Sequence, residues 1–199
     1  MKKISKNFLL VAFFLISTIL YMGVLIFTPQ EQGEISGLDV SSSVNIYSDN
    51  FGIPHIKADS EEDAYKALGF ITARDRLFQM DVFRRMIQGR LSEIFGEKTI
   101  NADKLLRTLR FKKHSELVLS NIQNSLDSKL MNNVNSYLEG VHFYIDNKTL
   151  PLEFHLLGYK PEKFEASDMI GISGYMALTF AEAIIQDVLY SRLKDILPA

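Results

Sequence analysis

The sequence contains no cysteine. Disulfides, thiolate metal sites and a cysteine nucleophile within these residues are therefore excluded. The absence leaves the compartment open, because a chain with nothing to oxidise is compatible with an oxidising one. A charge excess of one sign is also missing. Twenty-two basic residues stand against 24 acidic ones, for a net charge of −2. That balance gives no electrostatic case for a nucleic-acid partner. HExxH, Gly-x-Ser-x-Gly, the Walker A loop and GxGxxG do not occur, so the common short signatures of metal, nucleophile and phosphate chemistry are absent. The four histidines, His55, His114, His142 and His155, are scattered, and no metal site is expected from them. No internal repeat or low-complexity tract is present.

What remains is a chain of 199 residues, 47% hydrophobic and 23% charged. That is enough for one domain with a real core, and the composition is globular rather than disordered. The first 27 residues stand apart. Lys2, Lys3 and Lys6 form a basic head without an acid, and Phe8 to Phe27 is a run of twenty uncharged residues. At about 1.5 Å rise per residue it measures roughly 30 Å, the thickness of a bilayer's hydrocarbon core. The expectation is an uncleaved transmembrane signal-anchor over residues 1–27. It would meet the membrane through residues 8–27, with the lysines cytoplasmic and the main domain extracytoplasmic, periplasmic or extracellular. A cleaved signal peptide is the alternative, although its core would be shorter and no A-x-A site follows. Without those three lysines, 19 of the 22 basic residues remain against 24 acids, about −5 for the rest.

Residues 28–43, "TPQEQGEISGLDVSSS", read as a linker. In "VNIYSDNFGIPHIKAD", Val44, Ile46, Ile53 and Ile56 flank a turn at Asp49–Gly52, so the pattern predicts a short hairpin with Pro54 at an edge or strand start. Asp59 or Ser60 can cap the helix that follows, whose first turn holds Glu61, Glu62 and Asp63. Helical spacing continues to Phe95, with Gly96 after its end and Gly69 or Gly89 as a kink or break. Further helices are predicted over Ala102–Leu109, from about Ser115 to Tyr144, and from a cap at Ser167 or Asp168 to about Leu197. An irregular segment with two prolines precedes the last one. The fold class is therefore α+β, mostly helical.

Within "DRLFQMDVFRRMIQGRLSEIFG", residues 75–96, the apolar stripe is Leu77, Met80, Ile87, Leu91, Ile94 and Phe95, and Arg84 falls inside it. A buried guanidinium must be paired and hydrogen-bonded, or its desolvation is prohibitive. Asp75, Asp81, Glu93 and Glu153 are candidate partners, and Arg84 and Arg85 are expected to form structural ion pairs that fix helix register.

The stretch "DNFGIPHIKADSEEDAYKALGFITARDRLFQMDVFRRMIQGRLSEIFG" resembles the start of the α-chain of the penicillin acylases, a branch of the N-terminal nucleophile hydrolases. "YLEGVHFYIDNKTLPLEFHLLGYKPEKFEASD" is similar to a second α-chain signature of that family. The resemblance covers residues 44–199, in order. It implies the α-segment of an αββα fold with a short N-terminal hairpin. It also implies an amidohydrolase acting on carbon–nitrogen bonds other than peptide bonds, in a small-molecule N-acyl substrate such as a β-lactam or an N-acyl homoserine lactone. In the family a precursor cleaves itself and exposes a Ser at the start of a β-chain, whose own α-amino group serves as base. The oxyanion donors also belong to that β-chain.

The sequence ends at "DILPA", near where the family's α-segment ends. No catalytic residue is therefore expected here. The implied partner is the β-chain of the same enzyme, and the chain alone is expected to be inactive. A catalytically inactive truncated fragment, or a membrane-anchored binding module, is the competing reading. "YMALTF" resembles the stretch that lines the acyl pocket in relatives that act on penicillin G, which carries over Met176 and Phe180 as apolar contacts. Spacing alone would make that pair plain core. Thr179 stands where those relatives have an arginine, so a carboxylate partner is lost. Gln186 falls where calcium-binding relatives have a glutamate, with Asp187 adjacent, and the one cofactor left open is Ca²⁺ shared with a β-chain.

Overall fold

Chain order is α1 (Lys6–Phe27), β1 (Asn45–Ser48), β2 (Pro54–Lys57), α2 (Glu61–Gln88), α3 (Ser92–Phe95), a 3₁₀ turn (Gly96–Thr99), α4 (Ile100–Leu109), α5 (Phe111–Ser125), α6 (Ser128–Asn147), α7 (Leu152–Leu157) and α8 (Ala166–Lys194). These elements come from a computed structural model that describes residues 6–27, 33–125 and 128–194. Among the described residues the fold is mostly helical with one two-stranded sheet, as the sequence predicts. The strands pair antiparallel, Ile46 opposite Ile56 and Tyr47 opposite His55. Their turn is shaped by Asp49, whose Oδ1 accepts the N–H groups of Phe51 and Ile53, each at 2.9 Å.

Ser60 caps α2 by accepting the Asp63 N–H at 3.1 Å, which satisfies one of the donors left open at a helix start. The predicted run to Phe95 is broken earlier. Gly89 takes the left-handed conformation (φ 62°) and its N–H returns to Arg85 and Met86 carbonyls, a glycine C-cap. Only a single turn, α3, follows. Gly69 is not a kink: it is one half of a reciprocal crossing between α2 and α6. A Cβ on Gly69 would stand 1.9 Å from the Tyr137 carbonyl oxygen, and one on Gly140 1.9 Å from that of Lys66. The two backbones touch there, and only glycine permits it.

Around this crossing lie Phe70, Leu77, Leu138, Val141, Tyr144, Phe154 and Phe164. Complete burial of each such side chain stabilises the fold by about 1.5–3 kcal/mol. The helix predicted from Ser115 to Tyr144 is found as α5 and α6, with residues 126–127 outside the described set. At the start of α8, Asp168 lies inside the first turn and its Oδ2 accepts the Glu165 N–H at 2.9 Å, so it is the reciprocal member of a cap and not the cap itself.

Residues 28–32 of the expected linker lie outside the described residues. Its far end is tied to α2. The buried Asp63 carboxylate accepts Ser41 N–H at 3.0 Å, Ser41 Oγ at 2.5 Å and Ser42 N–H at 3.3 Å, while Lys66 Nζ donates to the Asp39 carbonyl at 2.7 Å.

The expectation of a membrane anchor, and with it a membrane partner through residues 8–27 and an anchored location, is corrected. Residues 6–27 do form a helix. Yet among the described residues no helix is long and apolar enough to cross a membrane. An uncharged run meets a necessary condition for spanning, not a sufficient one. At its end Phe27 is half-buried, and its ring sits 5.1 Å from that of His155 on α7.

Candidate functional site

Arg84 is 1% exposed. Its Nη2 donates to Asp81 Oδ1 one turn back, and its Nη1 donates to the carbonyls of Glu162 at 2.8 Å and Lys163 at 3.2 Å. The guanidinium lies 4.6 Å above the Phe164 ring. Among the described residues its Nε is the one buried side-chain nitrogen or oxygen without a hydrogen-bond partner. Arg85 binds the other oxygen of Asp81 at 2.8 Å and Glu93 at 2.6 Å, and covers the Tyr159 ring at 4.8 Å. Tyr159 donates its hydroxyl to the same Asp81 Oδ2 at 2.8 Å. One buried carboxylate thus gathers two guanidiniums and a phenol.

Arg90 extends the cluster by gripping both oxygens of Glu162, at 3.0 and 2.7 Å, and both of Glu93, at 2.8 and 2.9 Å. The hydrogen bonds from Arg90 hold the Glu162 carboxyl down at about 2. Burial, with the bond to Asp81 next, pushes the Tyr159 phenol well above its usual range. The result is a strap, residues 158–165, fastened to α2. Of the four partners proposed for Arg84, only Asp81 binds it; Glu93 binds Arg85 and Arg90, Asp75 pairs with Arg74 at 2.6 Å, and Glu153 sits in the first turn of α7 without a bond to Arg84. The strap's carbonyls and Tyr159 carry no signature in the sequence. Backbone acceptors 78 and 79 residues away have no side-chain code.

The strap leads into α8. Asp168 Oδ1 accepts from Gln88 Nε2 at 2.7 Å, and burial pushes the Asp168 carboxyl up. Tyr175 meets Phe111 of α5 edge-on at 6.0 Å. Beyond this point the described side chains Met176, Thr179 and Phe180 are exposed. Met176 is 49% and Phe180 69% exposed. Thr179 is exposed too, its hydroxyl turned back to the Met176 carbonyl at 2.7 Å. Met176, Thr179 and Phe180 therefore lie together on one stretch of α8, away from the buried arginines. The side chain of Gln186 lies outside the described residues. Asp187 is exposed, and among the described residues no group of three or more His, Asp or Glu could hold a metal. The described side chains do not by themselves fit a Ca²⁺ site.

The penicillin amidase family model matches residues 43–198. Penicillin acylase 2 proenzyme of Pseudomonas sp. (strain SE83) is 38% identical over 151 residues, covering 75% of this chain and 19% of that protein. Penicillin G acylase of Escherichia coli is 30% identical over 165 residues, with 78% and 19% covered. Acyl-homoserine lactone acylase QuiP of Pseudomonas syringae pv. syringae (strain B728a) is 32% identical over 131 residues, with 65% and 15% covered. The chain thus spans about a fifth of the length of the relatives it matches. A solved thermostable penicillin G acylase from Alcaligenes faecalis superposes with a TM-score of 0.60 at 27% identity, over 70% of this chain and 75% of that one. With nearly everything after the N-terminal helix inside the matched region, and the helical body superposing on a solved acylase, this chain belongs to the penicillin amidase family.

Proposed function

We propose that these residues are the α-chain portion of an acylase-type amidohydrolase that hydrolyses the linear amide of a small N-acyl compound. The acyl group of a β-lactam side chain or of an N-acyl homoserine lactone is the substrate class. The observation that carries the reading is the pair of apolar side chains Met176 and Phe180, four residues apart on α8 and both exposed. Apolar side chains flanked by polar surface are what an acyl group needs, and their exposure is what a partner segment would relieve. The chemistry itself is assigned to a β segment outside residues 1–199. There a chain-initial hydroxyl attacks the amide carbonyl and its α-amino group takes the proton. The tetrahedral intermediate collapses, the C–N bond breaks and the amine leaves with that proton; water then attacks the acyl-enzyme that remains and releases the acid. Thr179, neutral and turned back on the helix, offers no cation for a carboxylate-bearing leaving group. That favours an uncharged amine portion such as a homoserine lactone over a penicillin nucleus.

Rapid quenching of the full-length protein during turnover of an N-acyl homoserine lactone, followed by intact-mass analysis of each chain, tests the reading. An acyl adduct on the first residue of a second chain is expected. An adduct on a side chain of residues 1–199 overturns it.

A further inference from the structure

Successive turns of α8 are seated on α2 and α5 before the helix reaches Met176. Asp168 takes the hydrogen bond from Gln88, the last residue of α2, at 2.7 Å. One turn on, Gly171 lies against Ile87: a Cβ there would stand 2.5 Å from Ile87 Cδ1. A further turn on, Tyr175 is lodged between Phe111, at 6.0 Å, and Phe83, at 6.5 Å. Below the seat, the strap fixes the entry of the chain through Arg84 and Arg90. Above it, Met176 and Phe180 stand exposed. A helix held at its base is a stiff lever, rising about 1.5 Å per residue.

We propose that the seat made by Gln88, Ile87 and Gly171 sets the height of α8 against α2, and so the depth of the acyl pocket that Met176 and Phe180 wall. The inference rests on the acylase reading above and assigns that pocket its positioning residues. They touch no substrate and act through α8. A methyl added at Gly171 meets the end of the buried Ile87 side chain; in this proposal the strain is shared between a turn of that side chain and a shift of α8, and the shift travels along the helix to Phe180. Pocket depth is read in acyl length, where one methylene is worth about 10–200-fold in kcat/KM.

The test uses the full-length protein and a series of N-acyl homoserine lactones with linear acyl chains. Gly171→Ala is expected to move the preferred length by at least one methylene, changing the kcat/KM ratio of neighbouring lengths by about tenfold. Ile87→Val removes the opposing Cδ1, and the double variant is expected to return the ratio toward that of the parent. Gln88→Met, which removes the bond to Asp168 without adding bulk, keeps the test open if Gly171→Ala fails to fold; it too should shift the ratio. Melting temperatures are recorded beside the kinetics. A lowered Tm with an unmoved ratio marks a packing role only and overturns the inference, as does a double variant that stays shifted. Parent protein without activity toward any amide overturns the acylase reading and the inference together, whereas an active parent with unmoved ratios in the variants overturns the inference alone.

Discussion

Arg84 meets a carboxylate, two backbone carbonyls and an aromatic face at a position where an aliphatic side chain would continue the stripe. Replacing it with Met keeps the volume but leaves the Glu162 and Lys163 carbonyls without their donor and Asp81 short of one cation. A cost of about 3 kcal/mol is expected, read as a lowered urea midpoint of the full-length protein with an unchanged slope. An unaltered midpoint would contradict the staple role. Glu162 gives a pH prediction. Its folded-state value lies near 2 against an ordinary 4.5, so its contribution is fully present above about 4.5 and is lost as pH falls toward 2. Glu162→Gln should flatten that acid limb in a stability–pH profile while changing little at pH 7 beyond a surface ion pair's worth, about 0–1 kcal/mol. Asp168, pushed upward by burial, has the opposite sign: protonation there favours the fold, and stability is lost as pH rises through its raised value. At this scale the sequence shows that Arg84 is out of place and that Asp81 can answer it. It is silent on the strap, because a carbonyl acceptor has no letter of its own.

Among the elements, α2 and α6 form the central pair, and their crossing depends on Gly69 and Gly140 facing each other's backbone. Either glycine reads on its own as a weak spot in a helix, and only the pairing shows that both are contact points. Gly140→Ala is expected to destabilise by more than about 3 kcal/mol, because a Cβ 1.9 Å from a carbonyl must push two packed helices apart. A thermal midpoint within a degree of the parent's would refute that packing. The helix boundaries show the same limit of sequence reading. Apolar spacing continues past Gln88, so the pattern runs on to Phe95, but Gly89 turns left-handed and ends α2. Asp63 is legible as an acid favoured in the first turn, whereas its role as receiver of Ser41 and Ser42 depends on how the preceding chain returns. Residues 39–42, polar enough to pass for linker, are fixed by those bonds.

Taken whole, the molecule buries one core around α2 and α6 and leaves large apolar side chains outward, among them Phe51, Leu105, Leu156, Phe180 and Tyr190. The family was legible from the long ordered match between residues 44 and 199, while the membrane anchor read from composition was not upheld. The chain spans about a fifth of its relatives' length, and in the proposed reading it supplies one wall of the acyl pocket while a β segment brings the reacting hydroxyl. The most direct measurement is N-acyl amide hydrolysis by the 199-residue chain alone, set beside the same chain joined to a β segment of the family. No turnover is expected from the first and turnover from the second, as the division between pocket wall and reacting hydroxyl requires. Amide hydrolysis by the 199 residues unaided would contradict it.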